Sequence, residues 1–264
     1  MFWAFFWFEL KLRARSISTY VFFLIPFLMM FLAVSVADFA LIPPGKVLLN
    51  SPYALLESFG QITGFGSILI AAIFGPAMLR DFQQDTYPLL FTKPVRKFDY
   101  LGGKWLASLV LTLGIFTGEV WGGMLGALMP WADKTRLAPV HLAGYLQPFL
   151  EISAINIFFL GALFFCVAAL SRRIIVVYLQ GVSLLALYLV LAFSVLATNK
   201  LERFWPSVVD PLGMVFMSSI MRYWTVVERN SRLLAWTGPF LYNRLLWTGI
   251  GCLALLLTYL LFST

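Results

Sequence analysis

The sequence predicts an all-α integral membrane bundle of six transmembrane helices. Hydrophobic residues make up 61% of its 264 residues, charged residues only 12%, and the mean hydropathy is +0.88. No water-soluble surface can be built from such a composition. Six apolar segments are long enough to cross a hydrocarbon core, which takes about 20 residues in a helix. The segments lack the polar alternation of barrel strands, so they are expected to span as helices.

The predicted spans belong to one domain, residues 1–264, and leave little room for another. The first has the basic flank of a signal peptide, but its apolar run is longer than a normal signal core, so we interpret it as a retained anchor. The spans cover residues 18–40, 60–79, 101–129, 148–170, 174–197 and 245–262.

Two further segments are expected to lie at membrane surfaces. Residues 2–8 are almost wholly aromatic and are followed at once by charged residues, which is typical of an interfacial helix. Asp210-Pro211 precedes a run through Met221 that is too short to span and is predicted to form a helix on the outer surface. Aromatic residues that favour the interface surround this run: Trp205, Tyr223, Trp224 and Trp236.

The basic residues predict the orientation, because Lys and Arg near span ends stay on the cytoplasmic side. The short loops divide ten to three in favour of a scheme with both termini in the cytoplasm. The long connection 198–243 carries five basic residues and opposes the scheme, but long loops follow the rule poorly. The ten are Lys11, Arg13, Arg15, Arg80, Lys93, Arg96, Lys97, Lys104, Arg172 and Arg173, and the three are Lys46, Lys134 and Arg136.

The sequence offers little for catalysis, so no enzyme activity, catalytic residue, metal site or cofactor is expected on the chain itself. His141 is the single histidine and lies in a predicted outer loop, while Cys166 and Cys252 lie in apolar runs. Zinc, nucleophile-elbow and Walker patterns are absent; Gly103-Lys104, for example, is followed by Trp105. The positive charge sits at span edges and forms no basic stripe, so no nucleic-acid partner is expected.

Glu119 and a row of glycines stand out in the third span. An ionised carboxylate at mid-membrane costs about 3 kcal/mol, so Glu119 should face protein or water, or be protonated. Two interpretations stay open: a residue of a transport pathway, or a buried acid hydrogen-bonded to a neighbouring helix. Small residues at four-residue spacing allow close helix packing, within the chain or across a dimer. The row is Gly114, Gly118, Gly122 and Gly126.

The connection from Arg80 to Lys104 carries the most informative pattern. An acidic segment is followed by Leu89-Leu90, then Pro94-Val95-Arg96, then Tyr100-Leu101-Gly102-Gly103-Lys104. Charges of both signs beside apolar side chains suit docking into a partner's groove, although an ordinary positive-inside loop is the simpler alternative. The stretch resembles the loop between the second and third spans of type-2 ABC transporter permeases.

This resemblance implies a membrane subunit of an ATP-driven exporter in the bacterial plasma membrane. It implies two partners besides membrane lipids: a cytosolic ABC ATPase, which would hold ATP and magnesium, and a second permease half in a homo- or heterodimer. Glu119 and the third-span glycines would line or close the interface between helices. The implied coupling residues are Arg80, Asp81, Asp85, Leu89, Leu90, Lys93, Pro94 and Arg96.

A narrower resemblance involves permeases fused to a gluzincin-type aminopeptidase. It rests on Asp210-Pro211-Leu212-Gly213, on Arg222 to Thr225, on Glu228 to Asn230 and on Tyr242 to Trp247, but the sequence ends at Thr264 with no peptidase. The alternative function is therefore a membrane anchor or scaffold for a peptidase or assembly factor. An intramembrane enzyme would instead depend on His141 or Glu119.

Overall fold

The computed structural model describes residues 1–42, 45–85, 95–197 and 204–262. Over these residues the fold is all-helical without β-strands, which confirms the predicted class. Five helices are long and apolar enough to cross a membrane, and a bent helix pair provides a sixth candidate. The helices are α1 (Phe2–Ala14), α2 (Ile17–Ser35), α3 (Pro52–Phe65), α4 (Ser67–Gln83), α5 (Lys97–Leu128), α6 (Leu142–Pro148), α7 (Ala154–Ser171), α8 (Ile174–Ala197), α9 (Phe204–Val209), α10 (Met214–Ile220), α11 (Val226–Ser231) and α12 (Gly238–Leu261).

The second candidate span is broken into α3 and α4, which meet at an angle of 47°. The sequence placed this span at 60–79, whereas α3 begins at Pro52, where the Ser51 hydroxyl accepts a hydrogen bond from the amide of Ala54. At the break, a Cβ on Gly66 would lie 2.6 Å from the Phe116 ring of α5, so the absence of a side chain there lets the bend pack closely against α5.

A second irregularity joins α6 and α7. Residues Phe149–Ser153 form a π-helical turn, which widens the helix directly after Pro148. The continuous helical segment Leu142–Ser171 is therefore one candidate span with an internal π-turn, and it begins before the predicted boundary at residue 148. The fourth and second candidate spans thus both contain a backbone irregularity.

Three of the four row glycines lie against the backbone of α2. A Cβ on Gly118 would stand 2.8 Å from the carbonyl oxygen of Phe23, and one on Gly126 would stand 2.7 Å from that of Phe31. Gly122 is closer still to the Phe27 carbonyl, whereas Gly114 has nothing within 4 Å. The row therefore brings α2 and α5 together within one chain.

The first and last described residues lie at the same end of the bundle, which we call the α1 end. The Phe2 ring stacks on Phe98 with 5.8 Å between centroids, and the Phe262 ring stacks on Tyr100 at 6.1 Å. Three connections meet at the opposite end, the far end. There the Leu49 amide donates to the Arg136 carbonyl at 2.8 Å, and the Leu48 amide donates to Asn230 Oδ1 at 2.9 Å.

The helix predicted from Pro211 through Met221 is shorter than expected. The helix begins at Met214, because the preceding Gly213 has a φ of +100°, which is not a right-handed helical conformation. The Asp210 carboxylate accepts hydrogen bonds from the amides of Leu212, Gly213 and Phe216. It therefore closes a turn before α10 and bonds to the first turn of that helix, and no helix starts at Pro211. Short helices α9 to α11 replace the single surface helix.

We expect a methyl group at Gly122 to separate α2 from α5. Gly122→Ala should lower the free energy of unfolding by about 1–3 kcal/mol, because the Cβ meets a backbone carbonyl that cannot rotate away. Gly114→Ala is the matched control and should be neutral or stabilising by up to about 1 kcal/mol. Thermal unfolding in detergent measures both, and equal effects of the two substitutions would contradict this packing.

Candidate functional site

A cluster of buried charges ties α1 to α4 and α5 at the α1 end. Glu9 on α1 is only 1% exposed. Its Oε1 accepts a hydrogen bond from Arg80 Nη2 at 2.7 Å and lies 3.4 Å from Lys104 Nζ, while its Oε2 lies 3.5 Å from Arg13 Nε. One carboxylate thus contacts cations from three helices. We call Glu9, Arg13, Arg80, Asp81 and Lys104 the ion cluster.

Asp81 on α4 supplies the second carboxylate. Lys104 Nζ donates to Asp81 Oδ2 at 2.5 Å, and the Tyr100 hydroxyl donates to the same oxygen at 2.9 Å. Lys104 Nζ also donates to the Ala77 carbonyl at 3.2 Å. Lys104 is 1% exposed, so its ammonium group depends on these protein oxygens to replace water.

Arg13 extends the ion cluster along α5. Its guanidinium donates to Ser108 Oγ at 2.8 Å and to the Ile73 carbonyl at 3.2 Å. Burial lowers the pKa of the Arg13 guanidinium to about 10, and the neighbouring Glu9 carboxylate opposes that shift. Arg13 therefore remains a cation at neutral pH. The ion cluster thus contains three cations and two carboxylates. Separation of α1 from α5 would expose these charges or leave them buried without their present partners.

The local sequence explains how each helix presents its charges. Glu9 and Arg13 stand four residues apart on one face of α1, as do Tyr100 and Lys104 on α5. Small residues bring the helices together: a Cβ on Gly103 would lie 3.0 Å from the Phe2 carbonyl and 2.8 Å from Phe5 Cβ. The aromatic start of α1 therefore lies flat on α5, and Glu9 points inward.

The structure separates the proposed coupling residues into two groups. Arg80 and Asp81 lie in α4 and belong to the ion cluster. Asp85 and Arg96 are exposed, one beyond the end of α4 and the other immediately before α5. Leu89, Leu90, Lys93 and Pro94 lie outside the described residues. The ion cluster therefore holds the two helices that bracket this connection.

A second polar cluster surrounds Glu119 in the middle of α5. Glu119 is fully buried, and its Oε2 lies 2.6 Å from Ser153 Oγ in the π-turn. Its Oε1 lies 3.2 Å from Thr63 Oγ1 on α3, and the two hydroxyls lie 2.8 Å from each other. The side chain thus faces α3 and the π-turn, while Gly118 beside it faces α2.

A third cluster holds the far end together. Arg244, 1% exposed, donates to Asn243 Oδ1 at 2.9 Å and to Asn156 Oδ1 at 3.0 Å. The Asn243 side-chain amide donates to the Asp210 carbonyl at 2.7 Å, and that of Asn156 donates to Leu212 O at 3.0 Å. The two separate motifs at 210–213 and 242–247 are therefore in direct contact, and Asn156 of α7 bonds to both of them.

The remaining candidates for chemistry lie apart. His141 is exposed at the start of α6, whereas Glu119 is fully buried and bonded to two hydroxyls. Cys166 is buried and Cys252 is exposed, and both are free thiols. No group of three or more His, Cys, Asp and Glu side chains suited to a metal ion occurs within the described ranges.

Sequence reasoning missed several of these residues. The charged residues after Phe8 predict an interfacial helix and Lys104 predicts orientation, and neither pattern indicates that Glu9 and Lys104 are buried. Thr63 and Ser153 carried no signal, because hydroxyl residues are common in apolar helices and bond locally to the backbone. The one usable signal was the spacing of Glu9 and Arg13 within an otherwise aromatic helix.

Comparison with models of known protein families gave no matching family, and comparison with curated proteins gave no match.

We expect removal of the Lys104 charge to destabilise the bundle strongly. Lys104→Met keeps the length of the side chain but removes the buried ammonium that contacts both Asp81 and Glu9, which should cost about 3–5 kcal/mol of the free energy of unfolding. Arg232→Met is the matched control, because its bridge to Glu228 is exposed, and it should leave the unfolding midpoint unchanged. Denaturation in detergent, followed by tryptophan fluorescence, measures the unfolding midpoints of both variants. Similar midpoints for Lys104→Met and Arg232→Met would contradict a stabilising role of the Lys104 contacts in the ion cluster.

Proposed function

We propose that this chain is the membrane-spanning permease subunit of an ATP-driven ABC exporter, coupled through residues 80–104 to a separate ATPase. The observation that carries the proposal is the ion cluster. It joins α1 to both helices that flank the 84–96 connection, so a push on that connection moves three helices as one body. The resemblance of residues 80–104 to the corresponding loop of type-2 permeases supplies the partner class.

The proposed orientation places the α1 end in the cytoplasm of a bacterium and six spans across its plasma membrane. Basic residues from three separate connections support it. Arg13 and Arg80 lie in the ion cluster, Arg96 precedes α5, and the Arg172 guanidinium lies 4.7 Å above the Phe82 ring at the end of α4. Positive charge gathered at one end favours retention of that end inside the cell.

The proposed mechanism follows from the length of α5. At about 1.5 Å per residue, its 32 residues extend roughly 48 Å and run from the ion cluster past Glu119 to the far end. When two ATPases close on ATP, the connection before α5 would be displaced, and α5 would carry that displacement through the bundle together with α1 and α2. A second permease half would complete the pathway, since one bundle supplies one wall.

The alternative function is a membrane anchor or scaffold without a transport path. The same fold is compatible with it, but it does not require coupling of the 84–96 connection to an ATPase. An anchor needs no rigid link between α1 and the 84–96 connection, and it predicts no ATPase at Arg96. A peptidase or assembly factor found at the same position would favour it.

A photo-crosslinking residue placed at Arg96 tests the proposal in native membranes. Arg96 is exposed and contributes no side-chain cap to α5, so the substitution should leave the fold intact. We expect the main adduct to be an ABC-type ATPase, identified by mass spectrometry through peptides of its nucleotide-binding motif. The same residue at Lys46, exposed at the far end, is the matched control and should give no such adduct.

A charge reversal gives the corresponding functional result. Arg96→Glu should reduce recovery of the ATPase with the purified chain about tenfold, whereas Lys46→Glu should not change it. Asp81 is unsuitable for this test, because its reversal would break the ion cluster. Adducts at Arg96 that contain a peptidase and no ATPase would contradict the exporter and favour the anchor.

A further inference from the structure

We propose that Glu119, Thr63 and Ser153 form a proton-binding site inside the bundle, in which Glu119 carries a dissociable proton. The site is separate from the ion cluster and does not depend on the exporter proposal. Three oxygens from three segments meet there: Glu119 from α5, Thr63 from α3 and Ser153 from the π-turn. We call these three residues the hydroxyl–carboxyl triangle.

The distances call for three hydrogens. Glu119 Oε2 to Ser153 Oγ is 2.6 Å, Ser153 Oγ to Thr63 Oγ1 is 2.8 Å, and Thr63 Oγ1 to Glu119 Oε1 is 3.2 Å. Each hydroxyl supplies one hydrogen, so the two hydroxyls fill only two of the three contacts. The Ser153 hydroxyl donates to Glu119 Oε2 and the Thr63 hydroxyl donates to Ser153 Oγ, so a proton on Glu119 Oε1 supplies the third hydrogen and fills the remaining contact to Thr63 Oγ1. The two shorter separations are those of direct O–H···O bonds.

No cation replaces the proton. Glu119 is fully buried, and no Lys, Arg or His of the described chain makes an ion pair with it. A buried carboxylate facing only two hydroxyls would bear an uncompensated charge in an apolar bundle. The neutral acid avoids that cost and keeps all three contacts.

The neighbouring titratable groups have partners of their own. Glu151, for example, accepts from Gln147 and Trp236 at 3.0 Å and 2.8 Å. On α5 and the elements packed against it, the titratable residues besides Glu119 are Glu9, Lys11 and Arg13 of α1, Tyr20 of α2, Tyr53 and Glu57 of α3, Arg80 and Asp81 of α4, Lys97, Asp99, Tyr100 and Lys104 of α5, Tyr145 of α6, Glu151 of the π-turn, Cys166 of α7, and Tyr242, Arg244, Cys252 and Tyr259 of α12.

The position of the site gives the proton a structural consequence. Thr63 lies three residues before Gly66, where α3 bends into α4, and Ser153 is the last residue of the π-turn. Both partners therefore belong to backbone irregularities, which are the places where helices most readily change geometry. Loss of the proton leaves the contact between Glu119 and Thr63 without a hydrogen and creates a buried charge that faces hydroxyls, which favours opening of the triangle. Proton occupancy is thereby linked to the α3–α4 bend and to the π-turn.

Infrared spectroscopy of the full chain in lipid tests the protonation directly. At neutral pH we expect a carbonyl stretching band of a buried carboxylic acid that disappears in Glu119→Gln and persists in the matched control Glu57→Gln. Ser153→Ala should shift the band without abolishing it, because the acid loses the hydrogen bond that Ser153 donates to it but keeps its proton. If the Glu119→Gln spectrum differs from the wild-type spectrum only by the loss of carboxylate bands, the proposal is overturned.

A fluorescent hydrophobic carbodiimide tests exchange of the proton, because this reagent attacks protonated carboxyls in apolar surroundings. Labelling of Glu119, located by mass spectrometry, should decline at least about tenfold as the pH is raised through the titration of the site, in step with loss of the acid band. Sodium ions at fixed pH should have no effect. Protection by sodium, or labelling that is independent of pH, would assign the triangle to a different role and overturn the proposal.

Discussion

An unpaired charge inside an apolar helix bundle costs several kcal/mol, and that cost dictates where the few buried ionisable side chains of this chain lie. The buried groups of the three polar clusters have three different kinds of partner. Glu9 and Asp81 share cations from neighbouring helices, Arg244 uses two asparagine oxygens, and Glu119 meets hydroxyls alone. The three polar clusters of the bundle follow from these three solutions.

The ion cluster determines how α1 relates to the rest of the protein. Without Glu9, the helix would present an aromatic face to any apolar surface and could slide or rotate along it. With Glu9 fixed to Arg80 and Lys104, its register against α4 and α5 is set. A buried ion pair adds little stability relative to an apolar pair of similar size, but it can specify a single arrangement of helices, which the proposed coupling to an ATPase requires.

The sequence predicted the elements better than their contacts. Apolar length located α2 and α8 closely, but it placed the start of the second span at residue 60, because Glu57 interrupts the apolar run that α3 continues toward Pro52. Ser51-Pro52 is the local sequence signal for the observed start of α3, because Ser favours the N-cap position and Pro the first helical position. The charge pairs could not be predicted, since Glu9 and Arg80 stand 71 residues apart and nothing local indicates which cation a carboxylate will meet. For Glu119, hydrogen bonding to a neighbouring helix was one of two open interpretations, but its partners depend on a π-turn that the sequence did not indicate.

The central claim is that the ion cluster and the connection it brackets face the cytoplasm. Membrane-impermeant maleimide labelling of intact cells tests it most directly, in a background with Cys166→Ser and Cys252→Ser, comparing Arg96→Cys with Lys46→Cys. The account predicts that Lys46→Cys is labelled in intact cells and that Arg96→Cys is labelled only after the membrane is opened. Labelling of Arg96→Cys from outside would place the α1 end on the wrong side of the membrane for any cytosolic ATPase and would contradict the account.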